Sequence, residues 1–206
     1  MKIGLYFGSF NPIHTGHLII ANFFIQQGCF ERVWFVVSPH NPFKPQESLL
    51  NEYQRLHLVR VAIDGEERTL RASDIEFDLP RPSYTSDTLA YLREKFPNDQ
   101  FSVIMGSDSF QNLHKWKNAA SIISNHEIYV YTRPGFEPVN SIAPNAHILQ
   151  APLIEISSTV IRKLIAEKKS IRYLVPDSVK EEIEKGGYYK PKKKPLSEEQ
   201  SGSKTI

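Results

Sequence analysis

Two short runs of this 206-residue chain carry residue types whose spacing can do chemistry. The first is Gly8-Ser9-Phe10-Asn11-Pro12-Ile13-His14-Thr15-Gly16-His17, which follows the apolar run Lys2 to Phe7 and leads into a helix-like stretch, Gly16 to Gln27. A loop between strand and helix is a natural anion site. The first helical N–H groups lack intrahelical partners, the dipole presents its positive end, and glycines such as Gly8 and Gly16 bring main chain close to a phosphate with no Cβ in the way. His14 and His17, three apart at the first turn, can face one ligand, and an imidazole N–H aimed at a phosphoryl oxygen stabilises charge that builds up there. Either histidine alone reads more simply as a cap or a surface group, and a pair at i and i+3 with no Cys or Glu beside it is a poor metal site. The ensemble changes the odds: the six fixed positions of G-x-F-x-P-x-H-x-G-H match by chance on the order of 10⁻⁸ per start.

The second run is Ile156-Ser157-Ser158-Thr159-Val160-Ile161-Arg162, again at a helix start. Ser and Thr cap such a start, its N–H groups can hold a further phosphate cluster, and Arg162, one turn in, can reach a phosphate with its planar fork. On its own this is a capping motif. Paired with the first run it completes a phosphate-binding site.

Alternating elements must position these runs. Strand-like segments at Lys2 to Phe7, Glu31 to Val37, Thr69 to Ile75, Gln100 to Met105, Glu127 to Tyr131 and Ala146 to Leu149 are separated, for the most part, by helical patterns. Those patterns are Gly16 to Gln27, Asn51 to Ile63 with a cap-like Asn51, and Ser83 to Phe96 opening on Ser and Thr. After Leu149 the chain turns helical, at Ser158 to Ala166 and at Pro176 to Lys185, which Gly186 should stop. This predicts an α/β class: a Rossmann-like parallel sheet with helices on both faces and a helical C-terminal portion, with ligands beyond the carboxyl ends of the strands. Residues 1–189 read as a single domain.

Composition excludes several function classes. No apolar stretch approaches the ~20 residues of a membrane span. Cys29 is the only cysteine, a small core-type residue that allows no intrachain disulfide, so the expected location is the cytoplasm. The net charge is +2, but from Lys190 onward five lysines and two glutamates make a basic tail, expected to be disordered, which leaves the body at −1. The body is therefore no general nucleic-acid-binding surface.

The two motifs together resemble the nucleotidyltransferase superfamily marked by H-x-G-H and S-[ST]-x-x-R, and within it the bacterial nicotinate-nucleotide adenylyltransferase family. The resemblance spans roughly residues 1 to 189. It extends to Ser38-Pro39-His40-Asn41-Pro42-Phe43-Lys44, Ser83-Tyr84-Thr85 with Asp87-Thr88-Leu89, Gly106-Ser107-Asp108, Trp116, and Tyr173-Leu174-Val175-Pro176. Two departures are visible. The chain has one residue fewer between Gly8 and Phe10 than the family's Gly-Gly-Thr-Phe, and its counterpart of the Pro-Pro-His-Lys loop is expanded to place Lys44 after Phe43.

The resemblance implies ATP and nicotinate mononucleotide as partners, with no nucleic acid and no membrane; a monomer and a homodimer both stay open. It implies His14, His17, Lys44 and Arg162 as catalytic residues. Gly8, Ser9, Phe10, Gly106, Asp108, Ser158 and Thr159 would bind ATP, with Asp108 on the ribose, and Thr85 and Trp116 would bind the nicotinate nucleotide. Mg²⁺ is expected to arrive with ATP, held by phosphates and not by dedicated protein ligands. Arg133, opening a Pro-rich loop, fits a phosphate contact and a structural pair equally. Among the rivals, pantetheine-phosphate adenylyltransferases resemble T-x-G-H where this chain has His14, and the first class of aminoacyl-tRNA synthetases resembles H-x-G-H alongside a K-M-S-K-S loop that this chain lacks. Cytidylyltransferases use a different second motif. A non-catalytic nucleotide sensor and a protein binding RNA through its basic tail are the alternatives outside these enzymes.

Overall fold

A computed structural model describes residues 1–39, 49–138 and 142–191. Its strands β1 (Lys2–Gly8), β2 (Arg32–Val37), β3 (Leu70–Ser73), β4 (Gln100–Gly106), β5 (Ile128–Tyr131) and β6 (His147–Leu149) form one sheet in the order β3-β2-β1-β4-β5-β6. Every neighbouring pair is parallel, with Leu5 of β1 in register with Trp34 and Val103. Parallel strands need crossovers, and these are α1 (Thr15–Gln26), α2 (Glu52–Ala62) and α3 (Thr85–Lys95), followed by α4 (Ser107–Phe110), a 3₁₀ turn at Leu113–Lys115 and α5 (Ala119–Asn125). Two helices close the described chain, α6 (Ser158–Ala166) and α7 (Asp177–Gly186).

The period-2 pattern of the strands builds two cores. Tyr6, Val33, Phe35, Ile104 and Tyr129 face Phe24 of α1, Leu56 and Val59 of α2, Ile161 of α6 and Val179 and Ile183 of α7. Ile3, Leu5, Trp34, Val36, Val103 and Val130 face Leu89 and Leu92 of α3, Phe110 of α4 and Ile122 of α5. Helices on both faces are what apolar residues at successive strand positions require. None of the described helices is long and apolar enough to cross a membrane.

The structure departs from the sequence expectation at three ends. The third strand stops at Ser73 because the chain turns, with Phe77 N–H donating to Asp74 C=O at 2.8 Å. Gly186 does not stop the last helix. It sits in the final turn, and Gly187 (φ 62°) adopts the left-handed C-cap that favours glycine. Neither Ser83 nor Thr85 caps α3; Tyr84 is its N-cap and gives no side-chain acceptor. Asn51 does cap α2, accepting Tyr53 N–H at 2.9 Å.

Candidate active site

In this strand order the chain leaves β1 toward β2 on one side, whereas β4 lies on the other, so the loops following β1 and β4 diverge and open a crevice. The crevice is a cleft of about 950 Å³. Gly8, Ser9, Phe10, His14 and His17 line it from the first motif, Ser158, Thr159 and Arg162 from the second, Gly106 and Asp108 from the end of β4, and Thr85 and Trp116 from the far side. Sequence positions up to 154 apart thus meet in one place. Lys44 lies outside the described residues.

The two motifs are bonded to each other. Ser158 Oγ donates to Pro12 C=O at 2.8 Å, Arg162 Nη1 donates to Asn11 C=O at 2.8 Å, and Arg162 Nη2 donates to Thr159 Oγ1 at 3.3 Å. Ser157, not Ser158, is the cap of α6, accepting Val160 N–H at 3.3 Å, which leaves the Ser158 hydroxyl for the first motif. The Arg162 guanidinium therefore reaches the cleft already oriented by the loop that carries the histidines.

His14 is the N-cap of α1, and its backbone N–H donates to His17 Nδ1 at 3.3 Å. That bond places the proton of neutral His17 on Nε2. The two imidazoles stack with centroids 3.6 Å apart and 22° between planes, and Phe10 and Tyr6 meet the His17 ring edge-on at 5.0 and 5.9 Å. Packing on three sides locks the ring in place. Burial, and secondarily the Arg133 cation, pull the His14 pKa from 6.5 down to about 4, so this imidazole is neutral at physiological pH. The glycines have a local reason of their own: a Cβ at Gly8 would lie 2.8 Å from the Phe10 ring, and one at Gly16 3.1 Å from the His14 ring. Phe10, at φ 43° and 2% exposure, has its side chain in the core, so only its main chain is available to a ligand.

At the other wall, Arg133 Nη1 donates to Asp108 Oδ2 at 3.1 Å and Nη2 donates to the Tyr131 hydroxyl at 2.8 Å, which pairs in turn with the Tyr6 hydroxyl at 3.0 Å. Asp108 Oδ1 is buried without a hydrogen-bond partner among the described residues, and a Cβ on Gly106 would come within 2.5 Å of it. Asp108 is thus both an early residue of the short helix α4 and an acceptor with unused capacity. Lys117 Nζ binds Asp87 Oδ2 at 2.9 Å and lies 4.6 Å from the centre of the Tyr84 ring, which places a cation at the start of α3 beside Thr85. Trp116 is half-buried against the apolar core on this side.

Two buried ionisable groups around the cleft were not singled out from sequence. Arg55 is fully buried, and burial lowers its pKa to about 10, which leaves it charged. It donates to four carbonyls: those of Ser9, Leu50 at 2.8 Å, Ser38 at 2.9 Å and Pro39 at 3.2 Å. Glu76, 1% exposed, accepts from Thr88 Oγ1 at 2.8 Å, and burial raises its pKa. Neither lies in a recognisable motif: Arg55 sits within an amphipathic helix, and Glu76 alternates with Asp74 and Asp78 as a solvated face would.

A parallel sheet whose switch point gathers two histidines, two hydroxyls and an arginine from two helix starts is the architecture of a nucleotidyltransferase. A family profile described as Cytidylyltransferase-like matches residues 5–164. A relative from Flavobacterium psychrophilum is 51% identical over 92% of this chain and 100% of its own length, and one from Flavobacterium johnsoniae is 50% identical over the same shares; both carry the name "Probable nicotinate-nucleotide adenylyltransferase". A Plasmodium falciparum nicotinic acid mononucleotide adenylyltransferase complexed with NaAD superposes with a TM-score of 0.77 at 20% identity, over 91% of this chain and 97% of that one, which shows the shared fold. The chain belongs to the nicotinate-nucleotide adenylyltransferase family within the cytidylyltransferase-like proteins.

Proposed function

We propose that the chain transfers the adenylyl group of ATP to nicotinate mononucleotide, giving nicotinate adenine dinucleotide and pyrophosphate, a step of NAD biosynthesis. The observation that carries this reading is the meeting of both phosphate-binding motifs in one cleft, bonded through Ser158 to Pro12 and Arg162 to Asn11. The acceptor's phosphate is already mostly ionised near neutral pH, so no protein base is needed. Attack on the α-phosphorus then depends on alignment and on stabilising the charge that develops.

In this reading His17 donates from Nε2 to an α-phosphate oxygen, and neutral His14, stacked against it, completes the donor pair. Ser158, Thr159 and Arg162 hold the β and γ phosphates that leave, with the main chain of Gly8, Ser9 and Phe10 beside them and Lys44 adding charge. Asp108 accepts from the adenosine ribose with its unpartnered Oδ1, close to the open backbone of Gly106. Trp116 stacks on the pyridine ring, and the amides at the start of α3, near Thr85, take the nicotinate carboxylate. Nucleotidyltransferases of this kind use a divalent metal with ATP. In this reading the metal is Mg²⁺, carried in by the phosphates of ATP, whose oxygens suit a hard cation that keeps much of its water.

The test is pyrophosphate release from ATP and Mg²⁺ with nicotinate mononucleotide, nicotinamide mononucleotide or phosphopantetheine at equal concentration. Preference for the nicotinate form is the expected result. A preference for phosphopantetheine would leave the phosphate chemistry standing and overturn the acceptor assignment; no product with any of them would favour a nucleotide sensor.

A further inference from the structure

We propose that Tyr131 is a positioning residue for ATP: its hydroxyl occupies one arm of the Arg133 fork, so that Arg133 engages only one oxygen of Asp108 and the other stays free for the ribose. The inference rests on the ribose reading of Asp108 above and adds to it the residue that keeps that acceptor available.

Three neighbouring strands bring the parts together. Tyr131 closes β5 in register with Gly106, the last residue of β4, and Asp108 follows Gly106 by two residues. Arg133, two residues past Tyr131, is anchored through its own backbone, whose N–H donates to Ser107 Oγ at 2.9 Å. From there Nη1 donates to Asp108 Oδ2 at 3.1 Å and Nη2 donates to the Tyr131 hydroxyl at 2.8 Å. Tyr6 of β1 pairs with the same hydroxyl, oxygen to oxygen at 3.0 Å, and both phenols are buried. The hydroxyl that receives Nη2 is therefore itself held in place.

A guanidinium and a carboxylate left to themselves favour two parallel bonds, one from each arm of the fork. The fork that contains Nη1 has Nη2 as its second arm, and here that arm is spent on Tyr131. Asp108 Oδ1 is correspondingly without a hydrogen-bond partner among the described residues, although it is buried. The guanidinium lies within reach of it: Oδ1 and Arg133 Nε are 2.5 and 2.9 Å from the same point, where a Cβ on Gly106 would stand. A one-armed pair beside a buried, unsatisfied oxygen costs stability, because that oxygen has given up water for nothing. An ion pair that served stability alone would close the second bond. A site that must offer Oδ1 to a ribose hydroxyl needs it kept open, and the Tyr131 hydroxyl does so by holding the competing donor.

The experiment compares kcat/KM for ATP and for 2′,3′-dideoxy-ATP, with Mg²⁺ and saturating nicotinate mononucleotide. The wild-type protein should prefer ATP by about tenfold or more, the worth of a hydrogen bond to a charged acceptor. Tyr131→Phe keeps the ring, whose centre lies 5.3 Å from the guanidinium carbon, and removes only the hydroxyl. Nη2 then turns to Oδ1, and the preference should fall to about twofold through a raised KM for ATP, with kcat and the use of the dideoxy nucleotide little changed. Adding Arg133→Met to Tyr131→Phe removes the competing arm and should restore the preference, a rescue that a mere loss of packing would not give. Tyr6→Phe, which loosens the same hydroxyl, should lower the preference about threefold and carries the test if Tyr131→Phe does not fold. Equal losses with both nucleotides in Tyr131→Phe, an unmoved preference in either single variant, or no rescue in the double variant overturns the proposal. A wild-type protein that uses both nucleotides equally overturns the ribose reading of Asp108 instead, and no turnover with ATP overturns the proposed function.

Discussion

Replacing Arg55 with Met tests whether a buried cation holds the anion-binding loop from behind. The guanidinium is 0% exposed and is shared by four main-chain carbonyls, those of Ser9 after β1, Ser38 and Pro39 after β2, and Leu50 before α2. A trans peptide is planar with its C=O and N–H opposed, so a Ser9 carbonyl pinned to Arg55 fixes the direction of the Phe10 N–H. Removing the cation strands those carbonyls, at about 1–3 kcal/mol for each that finds no water, and relieves the desolvation of one buried charge, worth several kcal/mol in the other direction. The balance is a loss of about 3 kcal/mol, a large share of the ~5–15 kcal/mol by which a domain is stable. Urea unfolding should show the midpoint reduced by about 1 M with the slope unchanged. Below the new transition the folded variant should show a KM for ATP raised by about tenfold, because the loop loses its alignment while the acceptor wall does not. Arg55→Lys should recover only part of either effect, since one ammonium cannot reproduce the fork. A stability change under about 1 kcal/mol together with an unchanged KM for ATP would refute the reasoning.

In the proposed function His17→Ala removes a prealigned transition-state donor and should lower turnover by on the order of 10² or more in steady-state pyrophosphate release; losing the acceptor of the His14 N–H should also cost about 0.5–2 kcal/mol in thermal unfolding. Gly106→Ala places a Cβ 2.5 Å from Asp108 Oδ1 and 2.9 Å from Arg133 Nε, so the ion pair must shift; ATP binding by calorimetry should weaken by about tenfold while the nicotinate nucleotide is unaffected. His14 gives the pH prediction. Its folded pKa of about 4 lies below the unfolded value, so the unfolded chain binds the extra proton between these values, and a stabilisation on the order of 3 kcal/mol, complete above about pH 6.5, is lost as pH falls toward 4. Urea midpoints of wild type and His14→Asn should converge over that interval, and parallel curves would remove His14 from the account.

The sheet was legible because its signal is redundant. Apolar runs such as Lys2 to Phe7 and Gln100 to Met105 sit on a sheet covered on both faces, and that same continuity places Leu5 in one core and Tyr6 in the other. That the two motifs meet was legible because both sit at strand–helix junctions on the same side of a parallel sheet: twelve of the thirteen expected positions border one cleft, with Lys44 outside the described residues. What stayed hidden was long-range and non-periodic. Arg55 looks like one more basic residue of an amphipathic helix, and its burial depends on four carbonyls, three of them 16 to 46 residues away. Glu76 looks like a surface acid in a turn until α3 covers it. The helices between Ser107 and Asn125 leave no sequence signal, because elements of four and seven residues and a 3₁₀ turn are too short to establish a period.

The arrangement of charge in the cleft argues for fixed geometry over raw attraction. Among the described residues each cation lining the cleft already has a partner: Arg133 holds Asp108, Lys117 holds Asp87, Lys115 holds Asn112, and Arg162 holds Asn11 C=O and Thr159. These partners reduce the net field an incoming polyphosphate meets, but they also remove rotamer freedom from long side chains before the ligand arrives. The imidazoles follow the same logic, since a charged His14 would add attraction yet repel Arg133, whereas a neutral ring can stack on His17 at 3.6 Å and hold its donor still. Attraction of that kind would act on bound ATP before reaction and during it alike, and so would not speed the chemical step. Donors held in place gain most when negative charge grows on the α-phosphate oxygens, because no reorganisation is left to do at that moment. Arg55 extends the principle one layer back: it is 0% exposed, and its buried charge and four carbonyl bonds fix the loop on which the rest depends.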